Sequence, residues 1–241
     1  MSYNIAAGHG NLDRIIEVIR SSGADVVALQ EVDVHWSDRS GFADQAALLG
    51  DALGMEVFYA PIYTLHPAEG RLEDREYGLA ILSRLPLREA RNHQITRLTT
   101  QAEDPAPEPL PGFPEVVVEV GGAAVHLFNT HLDYRADPRV REMQVADMLR
   151  IMGSADRPTL LLGDLNAEPG DPELDPLFQR LEDVWFDDLG QGLTFPADDP
   201  VKRIDYILAS SHFAVGNVEV LETEASDHCP VVADLLLHDT P

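Results

Sequence analysis

Polar residues that can carry acid–base and metal chemistry adjoin short apolar runs at several points along the chain. Each run has the length and composition of a buried strand, and the polar residues stand where that strand would begin or end. The clusters are Gln30-Glu31, Asn129-Thr130-His131, Gly163-Asp164-Leu165-Asn166, Asp205 and Asp227-His228. Side chains at strand ends are held on a shared rim, where loops can form a pocket around them.

Each cluster taken alone has an ordinary explanation. A single acid after a strand is usually a helix cap or a turn former, and a lone histidine is more often a hydrogen-bonded polar residue than a catalyst. Five such clusters in one chain, each beside a buried run, favour a common chemical site.

The residue types in these clusters favour a hard divalent cation. Oxygen ligands such as Glu31 and Asp164 suit Mg²⁺ or Mn²⁺. Cys229 is the only cysteine, which excludes a multi-thiolate site, and no His-x-x-x-His pair points to zinc. A metal, a histidine held by a carboxylate and neutral amide donors are together what hydrolysis of a phosphate ester requires.

The charge balance bears on the class of substrate. The 241 residues include 42 acids and 17 bases, for a net charge of −25, and Lys202 is the only lysine. Non-specific binding of nucleic acid depends on Lys and Arg neutralising phosphates. The composition therefore disfavours a DNA or RNA partner, although a local basic rim or a bound cation would override it.

Nothing in the sequence predicts a membrane-spanning or secreted protein. No apolar run approaches the roughly 18 residues needed to cross a bilayer. The chain as given has no signal peptide, which predicts a cytoplasmic location. The first strand is expected to start almost at Met1, so a lost upstream segment stays open. We expect a monomer.

Helices and strands alternate along the chain. Asn11 is a predicted cap for a helix that ends at Gly23, and Asp137-Pro138 is predicted to begin a helix that reaches Met152. A hairpin is expected around Gly121-Gly122, and the proline-rich stretch from Thr100 to Pro114 is expected to be a surface loop. The pattern predicts mixed sheets covered by helices, in one domain over residues 1–241.

The polar clusters belong to longer motifs that resemble a known family. The motifs are Ser-Tyr-Asn-Ile, Leu-Gln-Glu-Val, Tyr-Gly-Leu-Ala-Ile-Leu-Ser-Arg, Asn-Thr-His-Leu-Asp, Gly-Asp-Leu-Asn-Ala-Glu-Pro, Arg-Ile-Asp-Tyr-Ile-Leu and Ser-Asp-His-Cys-Pro-Val. In this order, over residues 2–231, they resemble the endonuclease/exonuclease/phosphatase superfamily, also called DNase I-like. Seven ordered motifs make the resemblance specific.

The resemblance implies a four-layer α-β-β-α sandwich, with two mixed sheets face to face and helices outside. It implies a metal-dependent phosphoesterase with Mg²⁺, or Mn²⁺, as cofactor. Glu31 would be the principal metal ligand, Asn4 would lie close to the metal and the phosphate, and Asp227 would support the metal site.

The resemblance also implies roles for the other motif residues. Asp164 would orient or activate the attacking water, Asn166 would donate to a phosphate oxygen, and His131 would hydrogen-bond the scissile phosphate. His228, paired with Asp205, would be the general base or a cationic stabiliser. Whether Asp164 or His228 takes the proton is open at this point. The implied reaction is an in-line attack of water on phosphorus without a covalent enzyme intermediate.

The motifs do not select the substrate, because the superfamily includes nucleases and phosphatases of many kinds. Tyr77 matches a family position that often faces the phosphate, although packing explains it equally well. Arg39 and Arg135 stand beside motifs and are candidate substrate contacts. The acidic composition favours a small phosphoester, linked to a sugar or a lipid head group. A DNA or RNA nuclease is the alternative, and a catalytically silent binding protein of the same fold is a third.

Overall fold

In the computed structural model, which describes residues 1–154, 156–186 and 189–238, twelve strands form two mixed sheets of six strands each. The first sheet has the spatial order β11 (Phe213–Val220), β12 (Val231–Leu237), β1 (Ser2–Asn4), β2 (Val26–Val34), β4 (Arg75–Ser83) and β3 (Glu56–Leu65). The second has the order β5 (Glu89–Arg97), β6 (Glu108–Val120), β7 (Ala123–His131), β8 (Thr159–Asp164), β10 (Asp205–Ala209) and β9 (Glu182–Asp183).

Helices cover the outer face of each sheet. On the first sheet, Ile15 and Ile19 of α1 (Leu12–Ser22) and Leu49 of α2 (Gln45–Leu53) pack in one core cluster with residues of β1 and β2. On the second, α3 (Arg139–Met152) and the short α4 (Asp175–Phe178) pack against β7 and β8. Short 3₁₀ turns span Ala6–Gly8, Asp38–Ser40 and Pro172–Leu174.

The inner faces of the two sheets form the central core. Ala28 and Val231 of the first sheet share a buried cluster with Leu162 and Ile207 of the second. A neighbouring cluster joins Ile81 to apolar residues of β6 and β7. The layers therefore run helix, sheet, sheet, helix, and the predicted four-layer sandwich is confirmed. None of the helices in the described ranges combines the length and apolar character of a membrane span.

The first helix forms where the sequence predicts it. Asn11 Oδ1 accepts a hydrogen bond from the Arg14 amide at 3.3 Å, and Gly23 adopts the left-handed conformation that ends the helix. Ile15, Ile16 and Ile19 face the sheet and are buried. Burying each of these side chains stabilises the fold by about 1.5–3 kcal/mol.

The predicted helix near residue 138 and the predicted hairpin are also present. Helix α3 spans Arg139–Met152, so Pro138 lies at the cap position, one residue before the predicted first turn. Asp137 Oδ1 still accepts from the Arg139 amide at 3.1 Å. Strands β6 and β7 pair antiparallel across Gly121-Gly122.

The expectation of a loop from Thr100 to Pro114 is wrong for its second half, because β6 begins at Glu108. Residues 108–114 pair with β5, whereas pairing with β7 starts only at Glu115. This stretch therefore has a strand partner on one side, and proline is tolerated where no second partner needs the missing N–H. Strand β5 itself was not predicted. A single domain over residues 1–241 stays a prediction, and residues 155, 187–188 and 239–241 lie outside the described residues.

Candidate active site

The strand register of the second sheet places three predicted site residues side by side. His131 ends β7 and is the register partner of Asp164, which ends the parallel strand β8. Asp164 is in turn the partner of Asp205 at the start of antiparallel β10. Three side chains from distant parts of the sequence thus form one row at the edge of the sheet.

Close approach of β7 and β8 depends on Gly163, the residue before Asp164. A Cβ atom at this position would lie 2.2 Å from the Thr130 carbonyl oxygen, and the residue has a φ of +154°. A side chain cannot be accommodated at such a distance. The glycine of the Gly-Asp-Leu-Asn motif is therefore required for packing, and the acid that follows it points into the site.

The first sheet contributes Glu31 and Asn4. A register shift between Leu29 and Val32 interrupts the pairing of β2 with β4, and Glu31 within it has a φ of +56°. Bulges of this kind re-aim a side chain, and a non-glycine residue at positive φ is a strained conformation that functional sites often hold. Asn4 ends the parallel neighbour β1, in register with Gln30.

Asn4 joins the two sheets at the site. Its Nδ2 atom donates to Glu31 Oε1 at 3.2 Å and to Asp164 Oδ2 at 3.1 Å, while its Oδ1 accepts from the Ala6 amide. The Asn4 carboxamide thus uses both of its N–H donors and one of the two acceptor positions on its oxygen. The orientation of Asn4 is fixed, and Glu31 and Asp164 are held close to a common point.

His228 enters the site from the segment before β12. Its Nδ1 atom donates to Asp205 Oδ2 at 2.9 Å, which turns Nε2 toward Asp164 Oδ2 at 3.8 Å. The Phe195 ring lies 4.7 Å from the imidazole and limits its rotation. Burial lowers the pKa of His228, but Asp205, Asp164 and Asp227 outweigh it and raise this pKa to about 10.

Asp164 is the central carboxylate of the arrangement. It is almost fully buried, and its Oδ2 lies 3.5 Å from His131 Nε2. Its Oδ1 accepts from the Asn166 amide at 2.9 Å. Burial raises the pKa of Asp164 and the nearby Asp205 raises it further, because both disfavour a second negative charge. We call the six residues that meet here the acid–histidine cluster: Asn4, Glu31, His131, Asp164, Asp205 and His228.

Asn166 and Asp227 flank this cluster. Asn166 has a φ of +49°, and its Nδ2 donates to the Leu132 carbonyl at 3.0 Å. Ser226 Oγ lies 2.8 Å from the Asn4 carbonyl oxygen and 3.3 Å from Asp227 Oδ1. Asp227 is thus linked to the cluster through Ser226 and the backbone of Asn4.

The donor set of the cluster fits a cation. Ligand atoms of Asp164, Asp205 and His228 lie within 4.8 Å of one another. Within the described residues, the carboxylates of Glu31, Asp164 and Asp205 pair with no arginine or lysine, and Asp205 Oδ1 is buried without a hydrogen-bond partner. The compact group differs from the predicted metal set of Glu31, Asn4 and Asp227, although Asn4 connects the two groups. Oxygen donors in this number suit Mg²⁺ or Mn²⁺.

A pocket of about 330 Å³ adjoins the cluster, and His131 lines it. The three predicted substrate contacts, Tyr77, Arg39 and Arg135, all line the same pocket. We call it the arginine pocket; its walls are Trp36, Arg39, Ile62, Tyr63, Tyr77, Arg97, Leu98, Thr100, Gln101, His131, Leu132, Asp133, Tyr134, Arg135 and Gln144. Tyr77 is packed against Tyr63 and Trp36, with ring centroids 6.2 and 5.7 Å away.

Sequence reasoning missed Arg97 in this pocket. It ends β5, and its guanidinium donates to the carbonyl oxygens of Pro111, Gly112 and His131 at 3.1, 2.7 and 3.0 Å. Backbone carbonyls carry no side-chain signature, so no motif around Arg97 announces these contacts.

Comparisons with known proteins agree with this arrangement. The family model described as endonuclease/exonuclease/phosphatase family matches residues 1–228. No curated protein matches the chain significantly.

Solved structures share the fold at low sequence identity. An endonuclease/exonuclease/phosphatase from Beutenbergia cavernae is 24% identical, with a TM-score of 0.74, covering 98% of this chain and 70% of that one. The catalytic domain of human Nocturnin with bound sulfate is 23% identical, with a TM-score of 0.71 and coverage of 98% and 91%. The mannosyl-6-phosphatase Bt3783 from Bacteroides thetaiotaomicron is 18% identical, with a TM-score of 0.69 and 98% coverage of each chain.

Proposed function

Because the chain belongs to the endonuclease/exonuclease/phosphatase family and is a phosphoesterase, we propose that it hydrolyses a small sugar- or lipid-linked phosphoester with the help of a divalent cation. The observation that carries this proposal is the convergence of six polar side chains from both sheets in the acid–histidine cluster. Asn4 alone touches an acid from each sheet, Glu31 and Asp164.

Glu31 and Asn4 would hold the cation, with Asp164 beside them and Asp227 in support. A bound Mg²⁺ or Mn²⁺ would polarise the phosphate and help a water to lose its proton. Within the described chain the carboxylates of Glu31, Asp164 and Asp205 have no arginine or lysine partner. This favours such an ion, since close carboxylates repel one another in a site of low dielectric.

The protein's own side chains would position the phosphate. His131 Nε2 lies 3.5 Å from Asp164 Oδ2 and would donate to a phosphate oxygen bound beside the cluster. Asn166 uses one N–H on the Leu132 carbonyl, which fixes the amide and leaves its second N–H for the substrate. Donors fixed before the reaction stabilise developing charge without reorganisation.

Proton transfer would involve Asp164 and His228. Asp205 holds Nδ1 of His228, so Nε2 faces the same point as the Asp164 carboxylate. Either Asp164 takes the proton of the attacking water and the protonated His228 neutralises charge on the phosphorane, or His228 takes the proton and Asp164 orients the water. The water attacks phosphorus opposite the leaving oxygen, and the chain forms no covalent intermediate.

The small arginine pocket and the acidic composition favour a small substrate over nucleic acid. A pocket of about 330 Å³ has room for a sugar or a head group, and a net charge of −25 repels a polyphosphate chain. A structural relative from Bacteroides thetaiotaomicron is a mannosyl-6-phosphatase. The predicted monomeric state and cytoplasmic location stay predictions.

A substrate panel tests the proposed class. Purified protein with Mg²⁺ or Mn²⁺ would be assayed on bis(p-nitrophenyl) phosphate, p-nitrophenyl phosphate, sugar phosphates, plasmid DNA and RNA. We expect release of phosphate or nitrophenol from small esters and little nicking of plasmid. Efficient nicking at low enzyme dose would replace the small substrate with a nucleic acid, and silence on every substrate would favour a binding protein.

Removal of the cation tests metal dependence separately. Chelation with EDTA is expected to reduce turnover to background, and excess Mg²⁺ or Mn²⁺ should restore it. Full activity after exhaustive chelation would contradict the assigned role of Glu31 and Asn4.

A further inference from the structure

The arginine pocket adjoins the acid–histidine cluster at His131, which belongs to both. Its volume of about 330 Å³ lies at the small end of the range of about 300–1,000 Å³ typical of small-molecule sites. A substrate whose scissile phosphate lies at the cluster therefore places one small moiety in the pocket.

The charge of the pocket is opposite to that of the rest of the molecule. Its lining includes Arg39, Arg97 and Arg135 against a single carboxylate, Asp133. The whole chain has 42 acids and 17 bases. Three of those bases line one small cavity; Asp33 and Asp133 pair with two of them, and the third, Arg97, leaves the pocket with a net positive charge in a protein that otherwise repels anions.

The three guanidinium groups are held in place before any ligand arrives. Arg39 donates through Nε and Nη2 to Asp33 at 2.9 and 2.6 Å, and Arg135 pairs with Asp133. Each keeps unused N–H groups, because a guanidinium has five donors. Fixed side chains lose little conformational entropy when they bind, which favours affinity.

Arg97 is the least compensated of the three. It is 7% exposed, and within the described part of the chain it donates to three carbonyl oxygens and forms no salt bridge. Burial lowers the pKa of Arg97 to about 10, against the smaller opposing effects of Tyr63, Tyr77 and Asp133. An anion in the pocket would supply the missing countercharge.

An aromatic wall stands beside the arginines. Tyr77 stacks with Tyr63, Trp36 lies against Tyr77, and Arg39 lies 5.6 Å from the centre of the Tyr77 ring. A rigid wall of this kind offers a flat apolar surface to a ring.

We propose that the arginine pocket recognises a second phosphate group, carried on a ring, in the part of the substrate that is not cleaved. Guanidinium groups on several sides match the three free oxygens of a phosphate monoester better than the two oxygens of a carboxylate. This inference rests on the proposed phosphoesterase function and specifies its substrate class.

Matched pairs of substrates test the inference. Phosphate release would be measured for fructose 6-phosphate against fructose 1,6-bisphosphate, and for adenosine 5′-monophosphate against adenosine 3′,5′-bisphosphate. We expect kcat/KM to be at least about ten-fold higher for the doubly phosphorylated member of one pair or more, which corresponds to about 1.4 kcal/mol. A preference below about three-fold in every pair overturns the inference.

Variants connect the preference to the pocket. Arg39→Gln and Arg135→Gln should each reduce the preference for the second phosphate at least five-fold. Arg97→Gln should do the same, and the two more exposed variants decide the matter if it does not fold. Arg88→Gln is the matched control, since Arg88 is exposed and pairs with Glu119 outside the pocket. An unchanged preference in both Arg39→Gln and Arg135→Gln overturns the inference.

The two proposals fail in distinguishable ways. Equal hydrolysis of singly and doubly phosphorylated substrates leaves the phosphoesterase standing and removes the second-phosphate site. If no small ester is hydrolysed, the proposed function fails, and calorimetric titration with fructose 1,6-bisphosphate then tests the pocket alone. Absence of binding there counts against it.

Discussion

The acid–histidine cluster and the arginine pocket share His131 but are built in contrasting ways. The cluster consists of strand ends in fixed register, with three carboxylates and no arginine or lysine paired to them in the described chain. The pocket combines strand side chains with loops, and three arginines line it. One region suits a cation and its neighbour an anion. If the two proposals hold, reaction and substrate choice depend largely on separate residues, and substitutions should affect them separately.

The largest effect is expected in the cluster, from Glu31→Gln. Loss of this proposed oxygen ligand should weaken cation binding and reduce kcat by about 100-fold or more. The thermal midpoint should stay close to wild type, because Glu31 is only partly buried. Steady-state kinetics and thermal melts would be compared with Glu119→Gln, an exposed acid of the second sheet. Wild-type turnover in Glu31→Gln would contradict the proposed role of the acid–histidine cluster in the reaction.

Asp205→Asn should follow, with kcat lower by about 100-fold. The Asp205 carboxylate holds Nδ1 of His228 at 2.9 Å and raises the pKa of this histidine. The substitution removes that charge, so the pKa of His228 should fall. The acidic limb and the basic limb of the pH–rate profile would show the change. Asp51→Asn, on the exposed face of α2, is the matched control. If kcat kept its wild-type value and pH dependence, Asp205 would not orient His228.

Arg141→Gln should affect the pocket more than the cluster. Buried Arg141 binds Glu173 at 2.7 Å and donates to the carbonyl oxygens of Asp133 and Arg135, which hold one wall of the pocket. Leaving Glu173 buried and unpaired should lower the free energy of unfolding by about 3–5 kcal/mol. Urea unfolding measures this loss. Steady-state kinetics under conditions where the variant is folded should show a larger increase in KM than decrease in kcat.

Arg150→Gln is the control for that experiment. Arg150 also lies on α3 and pairs with Asp147, but it is exposed. The loss of a surface pair should cost less than about 1 kcal/mol. Equal losses in the two variants would mean that the buried pair has no special role in holding the wall.

The smallest effect is expected from Tyr77→Phe. The aromatic contacts with Trp36 and Tyr63 persist in phenylalanine, so kcat should change by less than about three-fold. Tyr77→Ala, which removes the ring, should raise KM several-fold and provides the contrast. A 100-fold fall of kcat in Tyr77→Phe would move Tyr77 from the pocket wall into the reaction.

Much of the cluster could be predicted from the chain, whereas much of the pocket could not. The buried strands that lead to Glu31, His131 and Asp164 can be recognised from the sequence, because a short apolar run bounded by polar residues is a local pattern. Arg97 lies at the end of β5, a strand that was not predicted, and its partners are carbonyl oxygens. The prolines between Glu108 and Pro114 predict a loop. The sequence does not show that this part of β6 has a strand partner on only one side, where proline is tolerated.

The sequence by itself determined the fold, the reaction class and the chemical types assembled at the strand ends. These follow from local patterns and from motifs in a fixed order, which can be recognised without knowing any distance in the folded chain. Only the tertiary structure decided that Asn4 reaches an acid of each sheet, that Asp205 holds His228, and that three arginines surround one cavity. Such contacts depend on strand register and sheet packing across more than a hundred residues, and chain order does not encode them locally.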